Sequence, residues 1–189
     1  MTAEILSVGT ELLLGNIVDT NAAFLSQELA GLGVSVYRQT TVGDNHGRLL
    51  RALKSAFESA DLVVISGGLG PTLDDITKDV AAEYFGRDLI MDEDSLAHIE
   101  ARFAARGREL PLSVALNAMV PIGARILPND NGSAPGVVLE QDGKTLILLP
   151  GPPHEMIPMF THYARPFLQA KSGTTFVSRT FKIIGLGET

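Results

Sequence analysis

The sequence predicts an α/β chain, a three-layer sandwich with helices on both faces of a mostly parallel sheet. Three observations predict it. Short apolar runs at residues 4–8, 62–65 and 146–149 read as buried strands. Between the first and third of these runs, leucines recur at helical spacing. Glycine-rich turns stand where strands hand over to helices, as at residues 66–70.

Taken in order, Glu4-Ile5-Leu6-Ser7-Val8 is apolar up to Gly9 and forms the first strand. Leu25, Leu29 and Leu32 share a helical face, and Gly31 and Gly33 end that helix. Residues 34–42 alternate and are rich in β-branched side chains, which predicts a second strand. Leu49, Leu50, Leu53 and Phe57 form one face of the next helix. Leu62-Val63-Val64-Ile65, bounded by Asp61 and Gly67, is the expected central parallel strand, buried on both faces. Ile76, Val80 and Tyr84 give a helix after the glycine turn. The acidic cluster Asp92-Glu93-Asp94 suits the first turn of a helix that buries Leu96, Ile99 and Phe103. Two strands flanking Asp142-Gly143 predict a hairpin, placed at an edge of the sheet. Pro152 and Pro153 suit the start of a helix carrying Met156, Met159 and Phe160. Residues 176–184 read as a last strand. The expected organisation is a domain over 1–170 and a linker or following segment over 171–189.

The 189 residues suit one domain with a core that needs no staples. With no cysteine, the chain has no disulfide, thiolate metal site or cysteine nucleophile, which suits a reducing, cytoplasmic setting. A formal charge of −7 argues against a general nucleic-acid binder, which carries a basic face. It leaves room for a phosphate-bearing small molecule held by amides and one metal. No membrane span is expected, because the apolar stretch at 110–124 is short and broken by Pro111 and Pro121.

Several familiar patterns fail. Gly143-Lys144-Thr145 lacks the first glycine of a P-loop, since Val138 stands in its place. Gly68-Leu69-Gly70-Pro71-Thr72-Leu73 lacks the third glycine of a dinucleotide fingerprint. The four histidines show no zinc-ligand spacing, and no Gly-x-Ser-x-Gly elbow occurs.

One constellation stands. Ser66-Gly67-Gly68-Leu69-Gly70-Pro71-Thr72-Leu73-Asp74-Asp75 joins the central strand to a helix. In an open α/β sheet, ligands bind at the carboxyl ends of the strands. Glycines there let backbone amides approach an anion. Taken alone, the stretch is equally a tight turn with two acids capping a helix. However, Glu11 follows the first strand, Asp44 the second and Asp75 the third, and a parallel sheet brings those ends to one edge. Carboxylates suit magnesium, which commonly takes one or two of them together with waters and substrate phosphates. Asp44 by itself also suits a helix cap. Gly132-Ser133-Ala134-Pro135-Gly136 and Pro150-Gly151-Pro152-Pro153 are small-residue loops that either turn rigidly or present amides to the same ligand.

These residues resemble the competence/damage-inducible CinA family. The resemblance lies in Gly9-Thr10-Glu11-Leu12-Leu13-Leu14-Gly15, Asp19-Thr20-Asn21, residues 66–77 (SGGLGPTLDDIT), 129–136 (NDNGSAPG) and 150–156 (PGPPHEM). It covers most of residues 4–165. It implies a molybdenum-cofactor-biosynthesis (MoaB/MogA-like) fold. It further implies metal-dependent ADP-ribose pyrophosphatase activity, within a superfamily that binds or adenylylates molybdopterin. Asp44 and Asp75 match the aspartates such proteins place around the pterin phosphate, and Gly67, Gly68 and Gly70 match their glycine turn. Full-length members add a C-terminal amidohydrolase domain. This chain shows none of it, so that activity is not carried over. Residues 181–189 resemble the start of the family's connecting segment, so a fragment or a short stand-alone form is expected.

The expected chemistry is hydrolysis of ADP-ribose or a similar nucleoside diphosphate sugar with magnesium, cobalt or nickel. Asp44 and Asp75 hold the metal, and Glu11 is either a third ligand or the base that activates water. Gly67, Gly68, Leu69, Gly70 and Thr72 hold phosphate. Asn21, Ser133, Ala134, Gly136, Gly151 and Pro152 shape the nucleotide pocket. Lys78 is expected as a solvated helix lysine or, alternatively, a phosphate partner. The competing expectations are molybdopterin binding with adenylyl transfer and an inert nucleotide-binding module. A homo-oligomer, dimer or trimer, is expected from the fold's relatives.

Overall fold

The structure is a computed structural model, and it describes residues 1–172. β1 (Thr2–Val8) leads through the short α1 (Thr10–Leu13) and α2 (Thr20–Gly31) to β2 (Ser35–Val42). α3 (His46–Ser59) and β3 (Leu62–Ser66) follow, then α4 (Thr77–Phe85). A peripheral stretch holds β4 (Leu89–Met91), α5 (Glu93–Ala104), α6 (Leu112–Ala115), β5 (Met119–Pro121) and β6 (Arg125–Leu127). The hairpin β7 (Gly136–Gln141) and β8 (Lys144–Leu149) runs into α7 (Pro153–Met159) and, through a π-helical turn, α8 (Arg165–Ser172).

The main sheet has six strands in the order β2-β1-β3-β8-β7-β6. β2, β1, β3 and β8 are parallel, whereas β7 and β6 pair antiparallel. The hairpin was expected at an edge, and the structure corrects this. β8 lies inside the sheet against β3, and β6 forms the edge beyond β7. The reason is burial: Leu146, Ile147, Leu148 and Leu149 are all fully enclosed, as a strand covered on both faces requires. β4 and β5 form a separate two-stranded sheet. These strands, β6 and the four-residue helices α1 and α6 are too short to leave a periodic signal. The expected strand at 176–184 lies outside the described residues.

Alternation along the strands divides the core in two. Leu6, Val63, Ile65, Leu146 and Leu148 face α3 and α4, where Leu49, Leu53, Phe57 and Val80 meet them. Ile5, Val64, Ile147 and Leu149 face the other way, toward Leu25, Leu29, Met156 and Phe160. This is the predicted three-layer sandwich. Helix starts follow the side-chain rule. Asp19, Asn45 and Asp92 accept from the amides of Ala22, Arg48 and Ser95. The acidic cluster at 92–94 is therefore a helix start, as its sequence predicts. Glu4 sits buried in β1, and Arg38 of β2 (2.8 Å) and Ser59 (2.6 Å) bind its carboxylate. Glu4 and Arg38 are register partners, so this pair also fixes how β1 meets β2. No helix among the described residues is long and apolar enough to cross a membrane.

Phe160 is fully buried and meets Phe24 edge to face at 5.9 Å. Replacing it with alanine empties a large site between the sheet and the helix layer. Phe160→Ala is expected to cost about 3–5 kcal/mol in urea unfolding. A loss below about 1 kcal/mol would show that this layer repacks freely.

Candidate functional site

From β1 the chain crosses to β2 on one side, and β3 then joins on the other. Reversal of strand order opens a crevice at the carboxyl ends of β1 and β3. A cleft of about 620 Å³ lies there, and it collects the loops after β1, β2, β3 and β8.

The β3–α4 turn forms its floor. Gly67 (φ 107°) and Gly68 (φ 70°) adopt backbone conformations that disfavour a side chain. A Cβ on Gly67 would run into the Val8 carbonyl oxygen, and one on Gly68 into the Thr77 hydroxyl. Thr77 is buried and clamps the turn: its hydroxyl donates to the Gly67 carbonyl (2.8 Å) and its amide to the Gly68 carbonyl (3.1 Å). All four amides from Gly67 to Gly70 were expected to face a phosphate. The structure corrects one of them, because Gly67 donates to the Leu149 carbonyl across to β8. The amides of Gly68, Leu69 and Gly70 donate to no described residue. Leu69 itself is a core side chain, so only its backbone serves the cleft.

The three predicted carboxylates all line this cleft. Asp44 is no helix cap, since Asn45 holds that position. Its Oδ2 instead accepts from the Thr10 amide and hydroxyl, both at 2.8 Å. Asp75 caps no helix either. Its Oδ2 accepts from the Thr72 amide (3.0 Å) and hydroxyl (2.6 Å). Gly70 leaves it room, because a Cβ there would lie 2.6 Å from that same oxygen. In both aspartates Oδ1 accepts from no described residue. Glu11 folds back over Gly9, with an oxygen 2.6 Å from where a Cβ would stand. Among the described residues, no three carboxylates or histidines stand together as a ready-made metal cage. The three acids share one cleft without converging on one point.

Asn21 donates to the Ser66 hydroxyl (2.8 Å) and the Gly151 carbonyl (2.7 Å), which joins the loops after β3 and β8. Its Oδ1 is buried with no described partner. Ser133, Ala134, Gly151 and Pro152 line the cleft as expected, but Gly136 does not. It lies at the start of β7, where a Cβ would strike Met159 Sδ and, at 2.7 Å, the Leu148 carbonyl oxygen. Gly136 is there for close strand–helix packing. The loop from Pro150 to Pro153 is also a poor amide cradle, because its three prolines carry no N–H.

Sequence reasoning passed over Thr10, which aims Asp44, and Asn129, which builds the Ser133 loop; Thr72, expected to hold phosphate, has its amide and hydroxyl on Asp75. Asn129 binds the amides of Asn131 and Gly132 through Oδ1 and donates to Ala134 O and Glu155 Oε2. Its place in an Asx-type turn, two residues ahead of Asn131, was the available signal. Lys78 also departs from expectation. It is 6% exposed and points away from solvent, with Nζ donating to the Asn117 carbonyl (2.7 Å). The Asn117 amide nitrogen in turn donates to the Ser133 hydroxyl (2.9 Å). Burial pulls the Lys78 ammonium down to about 8, although Asp79 and Asp75 favour its charged form.

A family described as "Probable molybdopterin binding domain" matches residues 4–170. A solved structure titled protein CinA with unknown function, from Thermoplasma acidophilum, is 38% identical. It overlays with a TM-score of 0.80 across 87% of this chain and 96% of that one. The chain belongs to the CinA family. Its domain is of the molybdopterin-binding type. A putative competence-damage inducible protein of Clostridium beijerinckii is 49% identical over 188 residues, and a CinA-like protein of Dictyoglomus turgidum is 52% identical. Each match takes in 100% of this chain and 46% of the relative, so the chain spans about half the length of these CinA relatives. The tungsten cofactor synthesizing protein MoaB of Pyrococcus furiosus, at 19% identity and a TM-score of 0.60, shows the shared MoaB-like fold.

In this CinA domain the buried Lys78 has a measurable consequence. Between pH 8 and the ordinary lysine value of 10.5, the folded state holds fewer protons at Lys78 than the unfolded chain. Stability therefore rises with pH across that window. Lys78→Met has no such group. The difference in unfolding free energy should shift toward the wild type by about 3 kcal/mol between those limits. A difference that stays flat with pH would show a solvated ammonium.

Proposed function

We propose that the cleft binds a nucleoside diphosphate compound of the ADP-ribose type with a divalent metal and hydrolyses its pyrophosphate. One observation carries the reading. Glu11, Asp19, Asp44, Asp74, Asp75 and Glu155 line the cleft, no lysine or arginine among the described residues does, and the amides of Gly68, Leu69 and Gly70 there stay open. Free amides suit a phosphate. Six carboxylates repel one unless a cation stands between.

The residues present fit such a cation. They offer hard oxygen donors, and Asp44 and Asp75 each keep one oxygen outside any described hydrogen bond while threonine holds the other. Magnesium commonly takes one or two carboxylates and completes its shell with waters and substrate phosphates, so a three-carboxylate cage is not needed. Magnesium, cobalt or nickel bound there supplies Lewis acidity and offsets the substrate's charge. The chain's own residues do the rest. The glycine-turn amides hold and orient one phosphate. Glu11 either joins the metal or accepts the proton of the attacking water. Water adds to one phosphorus, the bridging P–O bond breaks, and two monophosphates leave.

The second reading is molybdopterin-type binding with adenylyl transfer. The matching family's description favours it, and the same amides and carboxylates serve a pterin phosphate. The deciding experiment incubates ADP-ribose, other nucleoside diphosphate compounds, and ATP with a pterin phosphate, each with and without magnesium, cobalt or nickel. Mass spectrometry then reads the products. AMP and ribose 5-phosphate that appear only with metal support the hydrolase. Adenylylated pterin supports the transferase, and binding without turnover leaves an inert module.

Asp75→Asn should lower metal-dependent turnover by more than roughly 100-fold, and Thr72→Val by roughly 10–100-fold, because it only aims Asp75. Full turnover in a folded Asp75→Asn protein would end the assignment.

A further inference from the structure

We propose that Lys78 and Asn117, which do not line the cleft, are positioning residues for it. They set the polarity of the Ser133 hydroxyl, so that its hydrogen is offered to a phosphate oxygen of the ligand. The proposal rests on the reading of the cleft as a diphosphate site. It supplies a neutral donor where no described lysine or arginine lines the walls.

Three observations carry it. First, the three residues form one chain of hydrogen bonds that ends in the cleft. Lys78 Nζ donates to the Asn117 carbonyl (2.7 Å), Asn117 Nδ2 donates to Ser133 Oγ (2.9 Å), and Ser133 lines the cleft. A hydroxyl has one hydrogen and two lone pairs. Asn117 occupies a lone pair, and the hydrogen goes to no described acceptor. Second, Asn117 is 1% exposed, and its Oδ1 is buried with no described partner. A side chain placed for stability alone has both ends of its amide paired. This one leaves its acceptor orphaned while its donor reaches Ser133. Third, the fold gives up stability to keep Lys78 in place. Lys78 is buried, and burial disfavours its ammonium, with Asp79 and Asp75 offsetting only part of that penalty. A methionine there carries no such penalty. It lacks, however, the bond across 39 positions that pins the backbone of Asn117, in the 3-10 turn Leu116–Ala118.

The polarity matters because a phosphate oxygen only accepts. A hydroxyl that donates to it makes a charge-assisted bond, about twice as strong as a neutral one. The same hydroxyl turned inward meets the phosphate lone pair to lone pair.

Calorimetry with magnesium present tests this with inorganic pyrophosphate, whose acceptors are all phosphate oxygens. Ser133→Ala should weaken binding roughly 10–100-fold, the range of a hydrogen bond to a charged group. Ser133→Thr keeps the hydroxyl and should stay within about 3-fold of the wild type. Asn117→Asp keeps the shape but only accepts, so it draws the hydroxyl inward and should lose as much as Ser133→Ala. Asn117→Leu, a neutral partner to that variant, and Lys78→Met should each lose about 3–10-fold. The deciding readout is coupling. Added to a Ser133→Ala protein, none of these three changes should weaken binding by more than about 2-fold, because each acts through the hydroxyl. If their losses multiply with that of Ser133→Ala, Lys78 and Asn117 are merely structural and the proposal is overturned. It is also overturned, with the cleft reading intact, if the wild type binds pyrophosphate and Ser133→Ala binds it equally. If the wild type binds no pyrophosphate, the cleft reading falls and the proposal with it.

Discussion

The structure depends on one close approach of backbones at Gly67. The exit of β3 passes the last carbonyl of β1 so tightly that a Cβ would collide with Val8 O. On the other side its amide donates to Leu149 at the end of β8, and a Cβ on Gly151 would stand 3.6 Å from its Cα. Three strand ends therefore meet at one residue. This convergence turns separate loops into one cleft and leaves the next three amides open. Thr77 holds the turn from beneath, with one hydrogen bond to each of the first two glycine carbonyls.

Around that turn the electrostatics run against ordinary phosphate binding. The usual partners of a phosphate are arginine and lysine. Here carboxylates crowd the cleft, and the nearby lysine, Lys78, is turned into the protein to hold Asn117. The design makes sense if positive charge arrives with the ligand as a divalent ion. Thr10 and Thr72 each spend an amide and a hydroxyl on one carboxylate oxygen, fixing the aspartates. Preorganisation of this kind lowers the cost of binding.

Much of the fold was legible because its signals are local. Fully buried parallel strands need unbroken apolar runs, and Leu62 to Ile65 is one. Helices with one buried face need leucines at three- and four-residue spacing, as α2 and α3 have. The hairpin's existence was legible from its turn, but its place inside the sheet was not. That place depends on β6, a three-residue strand too short to announce itself. The carboxylates were legible because strand polarity sends the carboxyl ends of parallel strands to one edge. Lys78 and Gly136 were misread because burial and interlayer contact belong to the packed molecule. Both residues look ordinary along the chain.

By itself, then, the sequence determined the layer architecture, the glycine turn, and which acids follow which strands. Each follows from side-chain periodicity or backbone freedom within a few residues. Tertiary structure decided which amides stay open, how the aspartates are aimed and where Lys78 spends its charge. Those outcomes turn on contacts such as Asp44 with Thr10, 34 positions apart, and Lys78 with Asn117, 39 apart. Local propensity carries no term for such pairs. Only the packed layers bring them within hydrogen-bonding distance.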